Sequence, residues 1–214
     1  MIWAEFLQAV STIPPATWAA FLLASWALNL TPGQDVLFII ANTLSGGRRA
    51  GMASGVGVSC GSLFHVALAV LGVAALIRAS ETAFMLLKWG GAAYLVWLAI
   101  SFWRAPTMGE PGAGTADAGR AFWRGALNCI LNPKVSVFIL AFLPQFTDPA
   151  RGDVSGQILA LGLFFCLASV PVHLAWALAA AGLGAPLRRF GRWMNRISAG
   201  IMALLALRLV FGRS

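Results

Sequence analysis

The chain has 214 residues, of which 59% are hydrophobic and only 10% charged, with a mean hydropathy of +0.81. Soluble domains carry roughly 45–50% apolar and about 25% charged residues, so both a water-facing globular surface and a disordered chain are excluded. What remains is a polytopic membrane protein, with about five to seven spans if each takes about 20 residues.

Met1 to Pro14 carries one charge, Glu5, and no Lys or Arg, so no cleavable signal peptide is expected. Ile2, Trp3, Phe6, Leu7 and Val10 share a helical face. Two readings stand: a short interfacial helix ending at Pro14-Pro15, or an early start to the first span. Beyond it the charges are spaced as membrane spans require. None lies between Glu5 and Asp35 (29 positions), Arg49 and Arg78 (28 positions) or Asp153 and Arg188 (34 positions). Three more apolar segments are interrupted by single basic residues: 84–103 by Lys88, 125–146 by Lys134, and 194–211 by Arg196 and Arg208. The pattern predicts an all-α membrane protein with six helices at 17–41, 51–77, 83–103, 125–146, 154–182 and 194–211. Pro106 to Asp117 reads as a flexible loop inside a cytoplasmic linker at 104–124.

Lys and Arg set the orientation. Loops 1–2, 3–4 and 5–6 hold Arg48, Arg49, Arg104, Arg120, Arg124, Arg188, Arg189, Arg192 and Arg196, nine in all, against five on the other side (Arg78, Lys88, Arg151, Arg208 and Arg213). The nine-residue side is predicted to be cytoplasmic, with both termini outside, and Lys88 and Arg208 are expected to snorkel. These cations flank spans, so anionic lipid is the expected partner and nucleic acid is not. Arg48 and Arg49 admit a second reading, as collectors of anionic groups.

The two halves resemble each other. Ala27-Leu28-Asn29, Leu30-Thr31-Pro32-Gly33 and Phe38-Ile39 in helix 1 match Ala126-Leu127-Asn128, Leu131-Asn132-Pro133-Lys134 and Phe138-Ile139 in helix 4. Repeats of three helices insert with opposite topologies, the inverted-repeat plan of secondary transporters, here 1–103 and 125–214. Pro32-Gly33 leaves about 14 residues from Thr17, about 21 Å, which is short of the roughly 30 Å core, so helix 1 is expected to cross as two half-helices. Pro133 does the same in helix 4. Broken helices at matching positions point to a midplane binding site.

Asp35 and Lys134 each stand within about one turn of a break. A charge at the bilayer centre costs at least about 2.5–3.5 kcal/mol, so the pair demands a reason. One reading has them facing each other across the pseudo-twofold axis as a zwitterion site, Asp35 for an ammonium group and Lys134 for a carboxylate, with Gln34, Asn132, Asn29 and Asn128 adding neutral hydrogen bonding. The other is a buried pair that fixes helix register. Asp35, His65 and His173 are candidates for a coupling proton; each histidine also reads as a core residue bonded to a neighbouring helix. Gly51, Gly55, Gly57 and Gly61 form a small-residue stripe suited to close packing, with substrate access as the alternative.

Thr31-Pro32-Gly33-Gln34-Asp35, Gly46-Gly47-Arg48-Arg49-Ala50-Gly51 and Asn132-Pro133-Lys134 resemble the motifs of the LysE/RhtB family of bacterial amino-acid exporters, along the whole chain. Gln34 departs from the family's usual second Pro. The resemblance implies a non-enzymatic secondary transporter of the bacterial inner membrane that exports an amino acid or derivative by exchange with protons, while the two repeats predict alternating access around a site at Pro32–Asp35 and Asn132–Lys134. It implies an amino-acid substrate, protons and lipid as partners, leaves a homodimer open, and implies no cofactor or metal. No nucleotide-binding G-x-x-x-x-G-K-[ST] loop occurs. Two other classes stay open: a thiol redox shuttle using Cys60, Cys129 or Cys166, and a metal-cation exporter using the histidines, cysteines and one deep carboxylate.

Overall fold

In a computed structural model of the chain, residues 2–73, 75–76, 80–104, 114–183 and 191–211 are described. All regular structure among them is helical. The main helices are α1 (Ile2–Thr12), α2 (Pro15–Leu30), α3 (Gln34–Leu68), α4 (Glu81–Arg104), α5 (Ala118–Ile130), α6 (Pro133–Val137), α7 (Val154–Leu183) and α8 (Gly191–Phe211). α3 continues as a π-helical turn over Ala69–Val73, and α6 as a π turn over Phe138–Phe142 and a 3-10 turn over Leu143–Phe146.

Three stretches are long and apolar enough to cross a membrane alone: Gln34–Val73, Thr82–Arg104 and Val154–Leu183. Counting each of two bent helix pairs as one span gives five. The first stretch is not straight. A straight helix of its 40 residues would measure about 60 Å, twice the hydrocarbon core. Instead Gly47 adopts φ 76° and the chain turns back there. A Cβ placed on Gly51 would stand 3.1 Å from the Thr43 Cα, whereas eight residues along a straight helix span about 12 Å. α3 is therefore two arms, 34–46 and 48–68, joined at a glycine in the left-handed region.

The N-terminus is a separate helix: α1 meets α2 at 94°. Its expected apolar face is inward in part: Phe6 and Val10 pack against the core. Ala9 and Ile13 are buried and Leu7 is exposed, while nothing is described for the side chains of Ile2 and Trp3. Three further expectations need correction. First, α5 begins at Ala118, seven residues before the expected 125, because Asp117 caps it by accepting the Arg120 N–H at 2.6 Å. Second, the linker is not wholly loose: Thr115 N–H donates to Asn42 Oδ1 at 3.0 Å, while 105–113 lie outside the described residues. Third, Lys88 does not snorkel. It shares an inward face of α4 with Gly91, Ala92, Leu95 and Leu98, at helical spacing, and is 4% exposed.

Packing follows the glycine stripe. A Cβ on Gly57 would strike the Phe122 carbonyl and one on Gly61 the Ala126 carbonyl, so the second arm of α3 lies directly on α5. Gly55 faces His173 of α7 in the same way. α4 pairs with α8, where a Cβ on Gly91 would meet Leu209. The core holds Phe21, Phe138, Phe142 and Phe165, all fully buried. Outside it, Leu71, Trp123, Leu167 and Leu86 are exposed by 70% or more, an apolar exterior that suits lipid and not water.

Candidate functional site

The break between α2 and α3 brings two helix ends of opposite polarity together. The last turn of α2 leaves carbonyls without helical partners, and the first turn of α3 leaves N–H groups free. Each end carries the charge its pole favours. Asp35, second residue of α3, is 4% exposed. Lys134, 6% exposed, donates from Nζ to the carbonyls of Leu28 (3.2 Å) and Thr31 (3.0 Å), which close α2. Gly33 makes room for it: a Cβ there would stand 3.3 Å from the ammonium nitrogen.

The second break supplies the partners of the carboxylate. α5 and the Pro133–Phe146 segment meet at 54°. Asn132 caps α6, its Oδ1 accepting the Lys134 N–H at 3.0 Å, and its Nδ2 donates to Asp35 Oδ2 at 2.7 Å. Pro133 takes the first helical position, where the missing N–H costs nothing. Asn128 Nδ2 donates to Asp35 Oδ1 at 2.6 Å, and Gln34 Nε2 donates to Asn128 Oδ1 at 3.1 Å. Asp35 thus holds one amide donor on each oxygen, and each asparagine is fixed at both ends.

Asp35 and Lys134 gather in one place but form no direct ion pair; the one within 4 Å among the described residues joins Arg151 and Asp148 at the surface. Asn29 does not join the cluster through its amide nitrogen, which donates to Ser25 in its own helix at 2.8 Å. Buried Pro32 lies inside the first break. His65, 2% exposed, reaches Cys129 O with Nε2 at 3.2 Å and Ser136 Oγ at 3.3 Å, and Ser136 Oγ donates to Asn132 O at 3.1 Å. His173 Nδ1 meets Ser59 Oγ at 2.9 Å, and Ser169 Oγ donates to Ser59 Oγ at 2.8 Å. Both histidines therefore bridge to neighbouring helices.

Sequence reading missed several participants. The carbonyls of Leu28 and Thr31 carry no side-chain signature. Ser136 follows Asn132 by four residues, one turn on, and was within reach of a helical-spacing argument. Trp176 packs on Val36 and Ile40, just after Asp35, with its indole Nε1 buried and unpartnered; His65 Nδ1 is buried and unpartnered too. Cys129 and Cys166 are buried, Cys60 is exposed, and all three are free thiols. Among the described residues no three His, Cys, Asp or Glu side chains gather as a metal site.

Residues 26–213 match the model of the LysE type translocator family. The chain belongs to that family. Among relatives of this LysE-type chain, a homoserine/homoserine lactone efflux protein of Salmonella typhimurium is 35% identical over 170 residues, covering 78% of this chain and 82% of the relative. A threonine efflux protein of Escherichia coli is 25% identical over 196 residues, covering 86% and 92%. A Vibrio cholerae protein described only as an uncharacterized membrane protein is 36% identical over 173 residues, covering 80% and 84%. No solved structure matches the chain. The chain is accordingly a membrane protein of an amino-acid efflux family.

Proposed function

We propose that the protein exports an amino acid or close derivative, of the homoserine or threonine kind, from the bacterial cytoplasm across the inner membrane. The observation that carries this reading is the meeting of both helix breaks at one buried carboxylate and one buried ammonium. A zwitterionic substrate needs one partner for each of its charges. Asp35, held only by neutral amides, receives the substrate ammonium by exchange with Asn128 or Asn132. Lys134, with the free N–H groups of the first turn of α3 beside it, receives the carboxylate. His65 Nδ1 and Trp176 Nε1, both buried without partners, add unspent hydrogen-bonding capacity.

In this reading the spans are six: 15–46 through the first break, 48–73, α4, 118–146 through the second break, α7 and α8. They form two inverted repeats, the second beginning with the 118–146 span and not at 125, which rock around the site in alternating access. The Gly47 turn, with Arg48 and Arg49, faces the cytoplasm, as do Arg104, Arg120 and Arg124, which places both termini outside. Proton exchange runs through Asp35 with His65 or His173 as relay. The redox and metal-export readings gain no support from the named relatives or from the arrangement of the cysteines.

Growth tests the proposal. A sensitive bacterial strain expressing the chain should tolerate homoserine or threonine at levels that stop the empty-vector strain, and Asp35→Asn should abolish the protection at equal membrane abundance. Protection by neither compound, or undiminished protection by Asp35→Asn, would contradict it.

A further inference from the structure

The end of the molecule opposite the Gly47 turn holds a feature that the central site does not use. The start of α2, the end of the α6 segment, the start of α7 and the last turn of α8 enclose a cavity of about 370 Å³. Arg208, Arg151, Asp148, Gln145 and Gln157 give it a polar lining. Asp148 is already engaged: Oδ2 accepts Arg151 Nε and Oδ1 accepts the Ala150 N–H, at 3.0 and 2.9 Å. Among the described residues no carboxylate lies within ion-pair distance of Arg208. Its guanidinium lies over the Phe146 ring, 4.7 Å from the centroid. Two guanidinium groups against one engaged carboxylate leave the cavity positive. A guanidinium presents the forked donors that a carboxylate accepts two at a time.

Phe146 is also the outer end of an aromatic column. Its ring lies 5.3 Å from Phe142 and 5.1 Å from Phe21, and Phe142 lies 5.0 Å from Phe138. Phe138 in turn meets Phe165 at 5.2 Å. The column starts one turn beyond Lys134 and ends at the cavity. Its backbone passes from α to π to 3-10 winding within 14 residues, Pro133–Phe146. Short π and 3-10 stretches within a helix often mark functional hinges.

We propose that this cavity is a release vestibule for amino-acid-sized solutes, with Arg208 as the partner of their carboxylate, and that the Phe138–Phe142–Phe146 column is the plug between it and the Asp35–Lys134 site. The proposal rests on the exporter reading, since a release vestibule needs a transported solute.

Cysteine labelling tests it separately from transport. In a background with Cys60, Cys129 and Cys166 replaced by serine, or with Cys60 alone replaced if the triple variant fails to export, Gln145→Cys and Phe142→Cys are exposed to a membrane-impermeant maleimide outside intact cells. Gln145→Cys should react fast and Phe142→Cys slowly. External homoserine or acetate should slow labelling at 145 several-fold, and ethanolamine, which lacks a carboxylate, should not. Arg208→Gln should remove that protection, while Asp35→Asn, which stops export, should leave it. No labelling at 145 from outside, no protection by either carboxylate, protection that survives Arg208→Gln, or equal labelling at 142 and 145 would each overturn the proposal. Loss of protection in Asp35→Asn would also overturn it, by placing the ligand at the central site. Protection without any export by the parent would overturn the exporter reading and with it the release role, leaving only a carboxylate-binding cavity at Arg208.

Discussion

Asp35 is stabilised by amides and a helix pole, and Lys134 by carbonyls and the opposite pole; neither depends on direct contact with the other. The magnitudes allow this. A buried charge costs at least about 2.5–3.5 kcal/mol at the bilayer centre, and a hydrogen bond to a charged group returns about 1.5–3 kcal/mol. Two such bonds offset the charge of Asp35 while leaving both bonds open to exchange with a substrate ammonium. Asn132 does two jobs, capping α6 and holding Asp35, so Asn132→Ala should destabilise the protein by about 2 kcal/mol or more and stop transport. Asn29→Ala removes only a bond within α2, so it should cost no more than about 1 kcal/mol and leave transport in place. Thermal unfolding in detergent and an efflux assay on both variants check the contrast. A transport defect in Asn29→Ala as severe as in Asn132→Ala would show that the amide cluster is drawn wrongly. The sequence made Asp35, Lys134, Asn128 and Asn132 visible because charge and amide at matching breaks are rare in an apolar chain. It also suggested Asn29, which has the same composition signal, because spacing along one helix does not tell which way an amide turns. The absence of a direct ion pair was not legible for a similar reason: the competing partners of Lys134 are main-chain carbonyls.

The helices themselves were largely readable. Charge-free runs and paired prolines located both breaks, and Pro133 sits at the start of a helix as its chemistry requires. The start of α5 was not found. Arg120 and Arg124 made 118–124 look like loop, yet they lie on the exposed side of an amphipathic turn whose other side buries Ala121 and Gly125. Asp117 was the available signal. The glycine stripe gave the packing face of the second arm of α3, while its neighbour depended on the fold as a whole. Gly57→Ala should push a methyl group into the Phe122 carbonyl and part α3 from α5, lowering the unfolding temperature and the yield of folded protein. Gly90→Ala, with nothing within 4 Å of the added carbon, should be neutral or stabilising by about 0.5–1 kcal/mol. Thermal melts of the two variants side by side would expose an error in the α3–α5 contact if their order were reversed.

Across the molecule, scarcity of charge is what makes position informative. Among the described residues most basic side chains sit at or near helix ends, and two ions stand apart beside the breaks. The family match and the efflux relatives give that arrangement its chemical setting. The central claim is that these two breaks form the path of a carried amino acid. Its most direct test is counterflow in proteoliposomes containing the purified chain, preloaded with unlabelled homoserine or threonine and supplied outside with the same compound carrying a radiolabel. The account predicts transient accumulation of label that disappears in Asp35→Asn, with the variant equally folded and equally reconstituted. No counterflow of either compound by the wild-type chain, or counterflow unchanged in Asp35→Asn, would contradict it.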